Sequence, residues 1–123
     1  MKIASLICVG ILAAFATAQA AEPPSDAQAA SNKLLSALVS SDYAAFVADG
    51  DTAFKGLKKE MFDSVAAQLA PRFKAGYEAV YLGEMKQKGY QVTLWKLSFK
   101  DGGDDALATL SLKNAKIGGY WIR

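Results

Sequence analysis

The sequence of 123 residues contains no histidine and one cysteine, Cys8. Without histidine the chain lacks the commonest metal-ligating side chain and the commonest general base near neutral pH. The Ser-His and Cys-His arrangements of nucleophilic catalysis are excluded for the same reason. One cysteine cannot form a disulfide within the chain. The composition therefore predicts no cofactor and no metal site, and it removes the most frequent routes to catalysis.

The first twenty residues have the pattern of a secretory signal peptide. Lys2 supplies a positive charge, residues 3–15 are apolar and uncharged, and Ala-Gln-Ala at 18–20 matches a small-x-small cleavage site. The apolar run is short for a spanning helix, and no basic stop follows it. We therefore predict a signal peptide over 1–20 and a single domain over 21–123. The protein would be secreted or periplasmic in a bacterium, with no stable membrane anchor after cleavage.

The first half of the predicted domain has helical periodicity. The spacing of apolar residues predicts helices over 25–40, 42–49 and 57–70. In the third helix, apolar residues recur every four positions, and we expect that face to be buried. The face consists of Leu57, Met61, Val65 and Leu69, with Phe62 beside them. Pro71 has no N–H and disfavours a helical backbone conformation at the residue before it. We therefore expect this helix to end just before Pro71.

The second half has the alternation and turn residues of a β-sheet. Strands are predicted over 76–87, 90–100, 105–113 and 117–122. The connections between them are short and rich in Gly, Asn and Asp, which favour hairpins. Three such connections in a row predict an antiparallel meander. The fold class we predict is α+β, with N-terminal helices packed on one face of a curved four-stranded antiparallel sheet.

The second predicted strand changes the parity of its apolar residues. They occupy even positions up to Leu94 and odd positions from Trp95 onward. A regular strand with one buried face cannot accommodate this, because side chains alternate between the two faces. Either both faces of the strand are covered, or a β-bulge redirects the chain between Leu94 and Trp95. We expect the bulge.

Three segments carry a resemblance to a known superfamily. They are Ser-Asp-Tyr-Ala-Ala-Phe at 41–46, Gly-Tyr-Gln-Val at 89–92 and Lys-Ile-Gly-Gly-Tyr-Trp at 116–121. With helices first and a curved sheet second, the chain resembles the cone-shaped superfamily of nuclear transport factor two and ketosteroid isomerase, especially its small exported bacterial members of unknown function. The resemblance implies a pocket between the helices and the concave sheet. Residues 51–56 are few for the additional strand often found there.

An acid/base enzyme of the isomerase type is one reading of the titratable residues. Such a site needs a carboxylate in an apolar hollow with tyrosine donors opposite it. Tyr43, Tyr77 and Tyr81 are the available donors, and Glu78 and Glu84 are the available bases. On a regular strand both glutamates lie opposite to Tyr77 and Tyr81. No residue-by-residue match to the isomerase catalytic set exists, so the sequence favours a non-catalytic role.

The aromatic residues give the better candidate for a site. We predict a pocket for a small apolar or amphipathic ligand lined by Tyr43, Phe46, Tyr77, Tyr81 and Trp95. The competing interpretation is that these residues are simply core. A third interpretation places Trp95 or Trp121 on an exposed sheet face, as a contact to a protein partner or within a homodimer. Basic and acidic residues are interleaved and nearly balanced, so we expect no binding to nucleic acid.

Overall fold

The computed structural model describes residues 22–123, and the predicted signal peptide lies outside this part of the chain. In residues 22–123, four helices precede four strands. The helices are α1 (Ser25–Ser40), α2 (Tyr43–Val47), α3 (Thr52–Lys55) and α4 (Lys59–Lys74). The strands are β1 (Tyr77–Gln87), β2 (Tyr90–Phe99), β3 (Ala106–Lys113) and β4 (Lys116–Ile122). The predicted α+β class is confirmed.

The strands form one antiparallel sheet in the order β1-β2-β3-β4. Two of its connections are two-residue hairpins in which both central residues have positive φ. The values are 51° and 82° at Lys88 and Gly89, and 52° and 63° at Asn114 and Ala115. Positive φ at both positions is the geometry that matches the twist of paired strands. The predicted meander is confirmed, with β1 and β4 as its edge strands.

The predicted bulge in β2 is wrong, because the extra residue lies in the neighbouring strand. Strand β2 pairs with β3 in unbroken register from Gln91 to Leu97. The register shift lies in β1 between Tyr81 and Gly83, so that Leu82 is the extra residue. The parity change in β2 arises because both of its faces carry apolar residues. Its odd-numbered residues face the helices, while Val92 is buried on the other face.

The predicted end of the last helix is also wrong, since α4 continues past Pro71 to Lys74. The proline removes one N–H from the helical ladder. The turn that follows is held by Phe73, whose ring packs edge-on against Tyr77 at 4.9 Å and against Phe99 at 5.3 Å. Tertiary packing of one aromatic side chain therefore compensates for the lost hydrogen bond.

The buried face of α4 is rotated by one position from the predicted one. The buried residues are Phe62, Ala66, Ala70 and Phe73. Two residues of the predicted face, Met61 and Val65, are 60% and 47% exposed. Alanines at the helix contact allow α1 and α4 to approach closely, and this close packing outweighs the larger but more distant side chains. The rotation leaves Met61 and Val65 free to form part of a surface.

The core lies between the helices and the face of the sheet that they cover. Trp95 is its largest fully buried side chain, at 2% exposure, and it belongs to the same cluster as Leu97, Leu110 and the helix residue Leu34. The indole N–H of Trp95 donates to the hydroxyl of Thr93 at 3.1 Å, which satisfies the polar atom inside the core. The other face of the sheet, called the outer face below, has no helix against it in the described part of the chain.

Candidate functional site

An open apolar groove of about 400 Å³ runs beside the edge strand β4. Three phenylalanine side chains line it, and they come from different helices: Phe46 from α2, Phe54 from α3 and Phe62 from α4. Residues 118–121 of β4 form the opposite side. The volume falls within the roughly 300–1,000 Å³ typical of pockets for small ligands. We call this feature the β4 groove.

Two short helices are placed at the groove by carboxylate caps. The Asp42 side chain accepts from the N–H of Ala45 at 3.1 Å and starts α2, as expected for a residue that precedes a helix. Asp51 accepts from the N–H of Phe54 at 2.8 Å and starts α3. These caps fix the helices that carry Phe46 and Phe54. The two rings then pack at 5.4 Å, next to each other along the groove.

The loop between α2 and α3 ties this side of the groove to β4. The N–H of Asp51 donates to the carbonyl of Ile117 at 2.8 Å, and the N–H of Ile117 donates to the carbonyl of Asp49 at 2.9 Å. Gly50 thereby forms an isolated parallel bridge with Ile117. This short pairing closes the start of the β4 edge. It also fixes the helices relative to the sheet, so the groove does not depend on side-chain contacts alone.

Three large apolar side chains line the groove and remain exposed to solvent. They are Met61, Val65 and Trp121, and Trp121 is 49% exposed. The sequence predicted Met61 and Val65 as core, and it offered Trp121 only as a sheet-face contact. A second set of residues in this helix also has helical spacing, and it predicts the buried face that the structure shows: Phe62, Ala66, Ala70 and Phe73. That spacing could have identified Met61 and Val65 as exposed. The groove therefore has an apolar interior and an apolar, solvent-accessible rim.

Tyr120 has a buried hydroxyl that lacks a hydrogen-bond partner in the described residues. Its ring lines the groove and packs at 6.2 Å from Phe46, while its hydroxyl is buried and accepts or donates no hydrogen bond within residues 22–123. Burial raises the pKa of this phenol, and the nearby phenol of Tyr77 raises it further. The hydroxyl therefore stays neutral, and because it has almost no accessible surface it does not face the open groove.

The structure brings one of the five predicted pocket residues to the β4 groove. Phe46 lines it, whereas the other four pack elsewhere. Tyr43 donates its hydroxyl to the carbonyl of Leu57 and meets Phe62 edge-on at 5.8 Å. A ligand-binding role for Tyr43 stays a prediction.

The remaining three predicted pocket residues lie on the helix-facing side of β1 and β2. Tyr77 packs against Phe73. Tyr81 packs against Trp95 with ring centroids 5.2 Å apart. Trp95 is deep in the core, so it cannot be the exposed sheet-face tryptophan, and Trp121 occupies that role. Whether Tyr77 and Tyr81 contact a ligand stays a prediction.

The bulge at Leu82 changes the relationship between Tyr81 and Glu84. Glu84 lies opposite Thr93, on the same face as Tyr81, so the parity argument from the sequence is wrong for this glutamate. Burial raises the pKa of Tyr81, and the Glu84 carboxylate raises it further. Glu84 is nevertheless exposed and accepts from the side chain of Gln91 at 2.9 Å. The pair lies outside the β4 groove, whose lining contains no carboxylate.

The outer face of the sheet carries a second apolar surface. Met85 lies opposite Val92 across β1 and β2, and Thr109 lies between Leu94 and Trp121 in one row across the sheet. Met85 is 43% exposed. Trp121 therefore borders both this surface and the β4 groove.

No family model matches the chain, and no curated protein matches it. Among solved structures the chain is similar to an uncharacterized cystatin fold protein from Novosphingobium aromaticivorans. The identity is 15%, the TM-score is 0.45, and the alignment covers 82% of this chain and 99% of that chain. Within residues 22–123, no helix combines the length and apolarity needed to cross a membrane.

Proposed function

We propose that the protein is an exported, non-catalytic binding protein that holds a small apolar or amphipathic ligand in the β4 groove. The observation that carries the proposal is an apolar groove whose rim residues, Met61, Val65 and Trp121, stay exposed. Fully burying an exposed apolar side chain of this size is worth about 1.5–3 kcal/mol, and these three, which are about half exposed, have roughly half of that left to gain. A ligand that fills the groove recovers part of this free energy, and no residue of the described chain does so.

The chemistry of the lining favours binding over catalysis. The side chains that line the groove are apolar except for the phenol of Tyr120 and the indole N–H of Trp121. An acid/base isomerase needs a carboxylate within such a hollow. The pair that comes nearest to this requirement, Tyr81 and Glu84, has an exposed carboxylate and lies elsewhere. The isomerase alternative therefore has weaker support than binding.

Tryptophan fluorescence tests the proposal, because the two tryptophans lie in opposite environments. Trp121 borders the groove, and Trp95 is buried in the core. We expect 1-decanol, added below its solubility limit, to shift the emission to shorter wavelength as Trp121 loses contact with water. A Trp121→Phe variant should show no emission shift. It should still bind the alcohol, and calorimetry would measure that binding.

A charge placed in the groove supplies the specificity control. Val65→Glu puts a carboxylate on the rim and should weaken binding at least tenfold. Ala67→Glu places the same charge on an exposed position of α4 that does not line the groove, and it should bind as the parent protein does. Binding that is absent from the parent protein, or equal in both variants, would contradict the proposal.

A second candidate is association with another copy of this chain through the outer face. The observation that favours it is the exposure of Met85 and Trp121 on a sheet face that no helix covers in residues 22–123. Such apolar surface is typical of interfaces. We expect Met85→Lys to convert a sedimenting dimer to a monomer, while Lys86→Met does not. A parent protein that is monomeric at high concentration would refute this candidate.

Export and superfamily membership are part of the same proposal. The charge, apolar run and cleavage pattern in residues 1–20 support export. Helices followed by a bulged antiparallel meander support membership of the nuclear transport factor two-like superfamily. The intact mass of the protein recovered from a bacterial periplasm or culture medium tests export. It should correspond to a chain that begins at Ala21, and retention of residues 1–20 would contradict it.

A further inference from the structure

We infer that the outer face of the sheet docks reversibly onto the surface of a membrane that contains anionic lipids. The inference goes beyond the proposed function, because it concerns the outer face and holds whether or not the β4 groove binds a ligand. Two observations carry it. The face has an exposed apolar centre, and the charged residues that flank this centre on the same face are all cations.

The strand register places an apolar band across the middle of the outer face. The band consists of two neighbouring rows, which are Met85, Val92, Ser111 and Gly119, and Gly83, Leu94, Thr109 and Trp121. The ends of the band stay open to solvent, since Met85 is 43% and Trp121 is 49% exposed. Leu82, at the bulge beside the band, is 56% exposed. The centre of the face therefore presents large apolar side chains and no charge.

Cations lie on both sides of this apolar band. On one side Lys113 pairs with Lys116 across the β3–β4 hairpin, and the ammonium of Lys113 lies 5.4 Å from the ring of Tyr90 on the same face. On the other side Lys96 and Arg123 share one row through the strand between them. All four cations are exposed, and none forms an ion pair within residues 22–123. The register thus places the apolar band between two cationic rows.

The acidic residues of the sheet lie away from this arrangement. In a meander, the first and third turns lie at one end of the sheet and the second turn at the other. The first turn adds the exposed Lys88, while the residues around the second turn include Asp101, Asp104 and Asp105. Glu78 lies one row beyond Lys96 toward that acidic end, and Glu84 is on the helix-facing side. The near-balance of charge in the sequence therefore conceals a basic region on the outer face.

This combination fits an anionic bilayer better than other anionic partners. A lysine or arginine near such a surface contributes about fivefold in affinity. Tryptophan is enriched at the membrane interface, and apolar side chains on the same surface bury at the boundary of the acyl chains. Lysines at the border of an apolar patch keep their ammonium groups at the level of the head groups. A nucleic acid or an acidic peptide would engage the cations and leave Leu82 and Met85 exposed.

A second copy of the chain is the competing occupant of the same face. If two outer faces stack with their strands aligned, each cationic row lies against a cationic row of the other copy. Like charges placed opposite each other across an interface disfavour association. The charge pattern therefore favours an anionic surface over a dimer.

Vesicles of defined composition test the inference. We would measure cosedimentation of the purified protein with vesicles of phosphatidylcholine, alone or mixed with phosphatidylglycerol in a ratio of about 7:3. Binding to the anionic vesicles should be at least tenfold tighter, and added salt should reduce this advantage, because the cations are exposed. Brominated acyl chains should quench the emission of Trp121 in the bound protein. The buried Trp95 should not be quenched, so Trp121→Phe should show no quenching on binding.

Matched variants assign the binding to the outer face. Lys113→Gln/Lys116→Gln should weaken binding to the anionic vesicles by about 25-fold, which is roughly fivefold for each charge. Lys55→Gln/Lys58→Gln removes the same charge from the helical layer and should bind as the parent protein does. Met85→Ser should weaken binding severalfold, whereas Met61→Ser, at an exposed position of the β4 groove, should not. All these positions are exposed, so the variants should fold, which circular dichroism would verify.

Each other outcome overturns the inference. Equal binding to neutral and anionic vesicles, no binding, or equal losses in the two lysine variants would exclude docking through the cationic rows. If soluble polyglutamate bound as tightly as the anionic vesicles, the face would attract any polyanion. A stable dimer that fails to bind vesicles would identify a second copy as the occupant. Because Lys113→Gln/Lys116→Gln should leave 1-decanol binding unchanged, a failure here leaves the proposed function in place.

Discussion

The indole ring of Trp121 lies over the backbone of Gly119, two residues earlier on the same side of β4. A Cβ atom built on Gly119 would come within 2.1 Å of the ring. No side chain other than hydrogen fits beneath the tryptophan in this position. The placement of the aromatic residue at the rim of the β4 groove therefore depends on a glycine at 119.

Replacing this glycine should move the tryptophan more than it destabilises the fold. In Gly119→Ala the added methyl group displaces the ring, which is half-exposed and can rotate toward solvent. We expect Trp121 emission to shift to longer wavelength and amphiphile binding to weaken. The free energy of unfolding should fall by about 1 kcal/mol, the low end for overpacking. Ser111→Ala, directly opposite on β3, should leave the emission unchanged. Unaltered emission in Gly119→Ala would show that the ring does not need the glycine.

The β3–β4 turn contains a residue whose conformation suits glycine better than alanine. Ala115 has φ 63°, which is unfavourable for a residue with a Cβ atom. Ala115→Gly should relieve this cost and raise the free energy of unfolding by about 0.5–1 kcal/mol, after the loss of chain entropy in glycine is counted. Urea denaturation would measure it. Ala106→Gly, within β3, should be destabilising, and a loss of stability in Ala115→Gly would contradict the turn geometry.

The hydrogen bond between Trp95 and Thr93 should contribute measurably to the core. Thr93→Val keeps the shape of the side chain but leaves the buried indole N–H without an acceptor, at a cost of about 1–3 kcal/mol. In a Trp95→Phe background no N–H remains, so the same substitution should cost less. Chemical denaturation of the four proteins gives the coupling between the residues. Equal costs in both backgrounds would mean that the hydrogen bond does not stabilise the fold.

The ion pair that joins α4 to the β2–β3 turn should make stability depend on pH. Arg72 donates to Asp101 at 2.7 Å, and this bond, followed by one from the Gly103 N–H, holds the pKa of Asp101 below its ordinary value of 3.8. Because the pKa is lower in the folded state, the stabilisation is present above about pH 4 and is lost as the pH falls through the folded-state pKa. Unfolding measured from pH 7 to pH 2.5 should show Asp101→Asn less stable than the parent protein at neutral pH, with the difference closing in acid. In an Arg72→Gln background the trend for Asp101→Asn should be smaller, and a difference for Asp101→Asn that is the same at all pH values would argue against the ion pair.

Much of the fold could be predicted because local chemistry determines it. Gly89 and Asn114 mark turns where positive φ is needed, and alternating side chains mark the strands between them. The class and the meander follow from these signals. The proposed ligand-binding role had no comparable signal, since it depends on a groove formed by residues far apart in the sequence.

The wrong predictions share one physical cause, which is competition between local pattern and tertiary packing. The most hydrophobic stripe of α4 includes Met61 and Val65, yet the helix buries the stripe of Ala66 and Ala70, whose small side chains pack closely. Pro71 breaks an isolated helix, but Phe73 gains enough from its aromatic contacts to extend this one. The groove could not be foreseen, because the sequence pattern assigned two of its three rim residues, Met61 and Val65, to the core.

The parity change in β2 shows the same limit in the sheet. The sequence identified the row at Leu94 and Trp95 where the sheet becomes irregular. It could not identify the strand that carries the extra residue, because register is a property of a pair of strands. Leu82 and Gly83 on β1 provide the irregularity. That choice brings Glu84 onto the face of Tyr81, contrary to the expectation from simple alternation.

The bridge between Gly50 and Ile117 has a consequence for how copies of this protein could assemble. An edge strand with free N–H and C=O groups is a template for the addition of strands from other molecules. At β4 the 49–51 loop occupies the start of that edge, and at β1 the bulge at Leu82 divides the opposite edge into two shorter pieces. Both ends of the sheet are thus poorly suited to continuous growth. Strand addition therefore meets an obstacle at both edges, and the outer face is the surface that the proposed dimer would use.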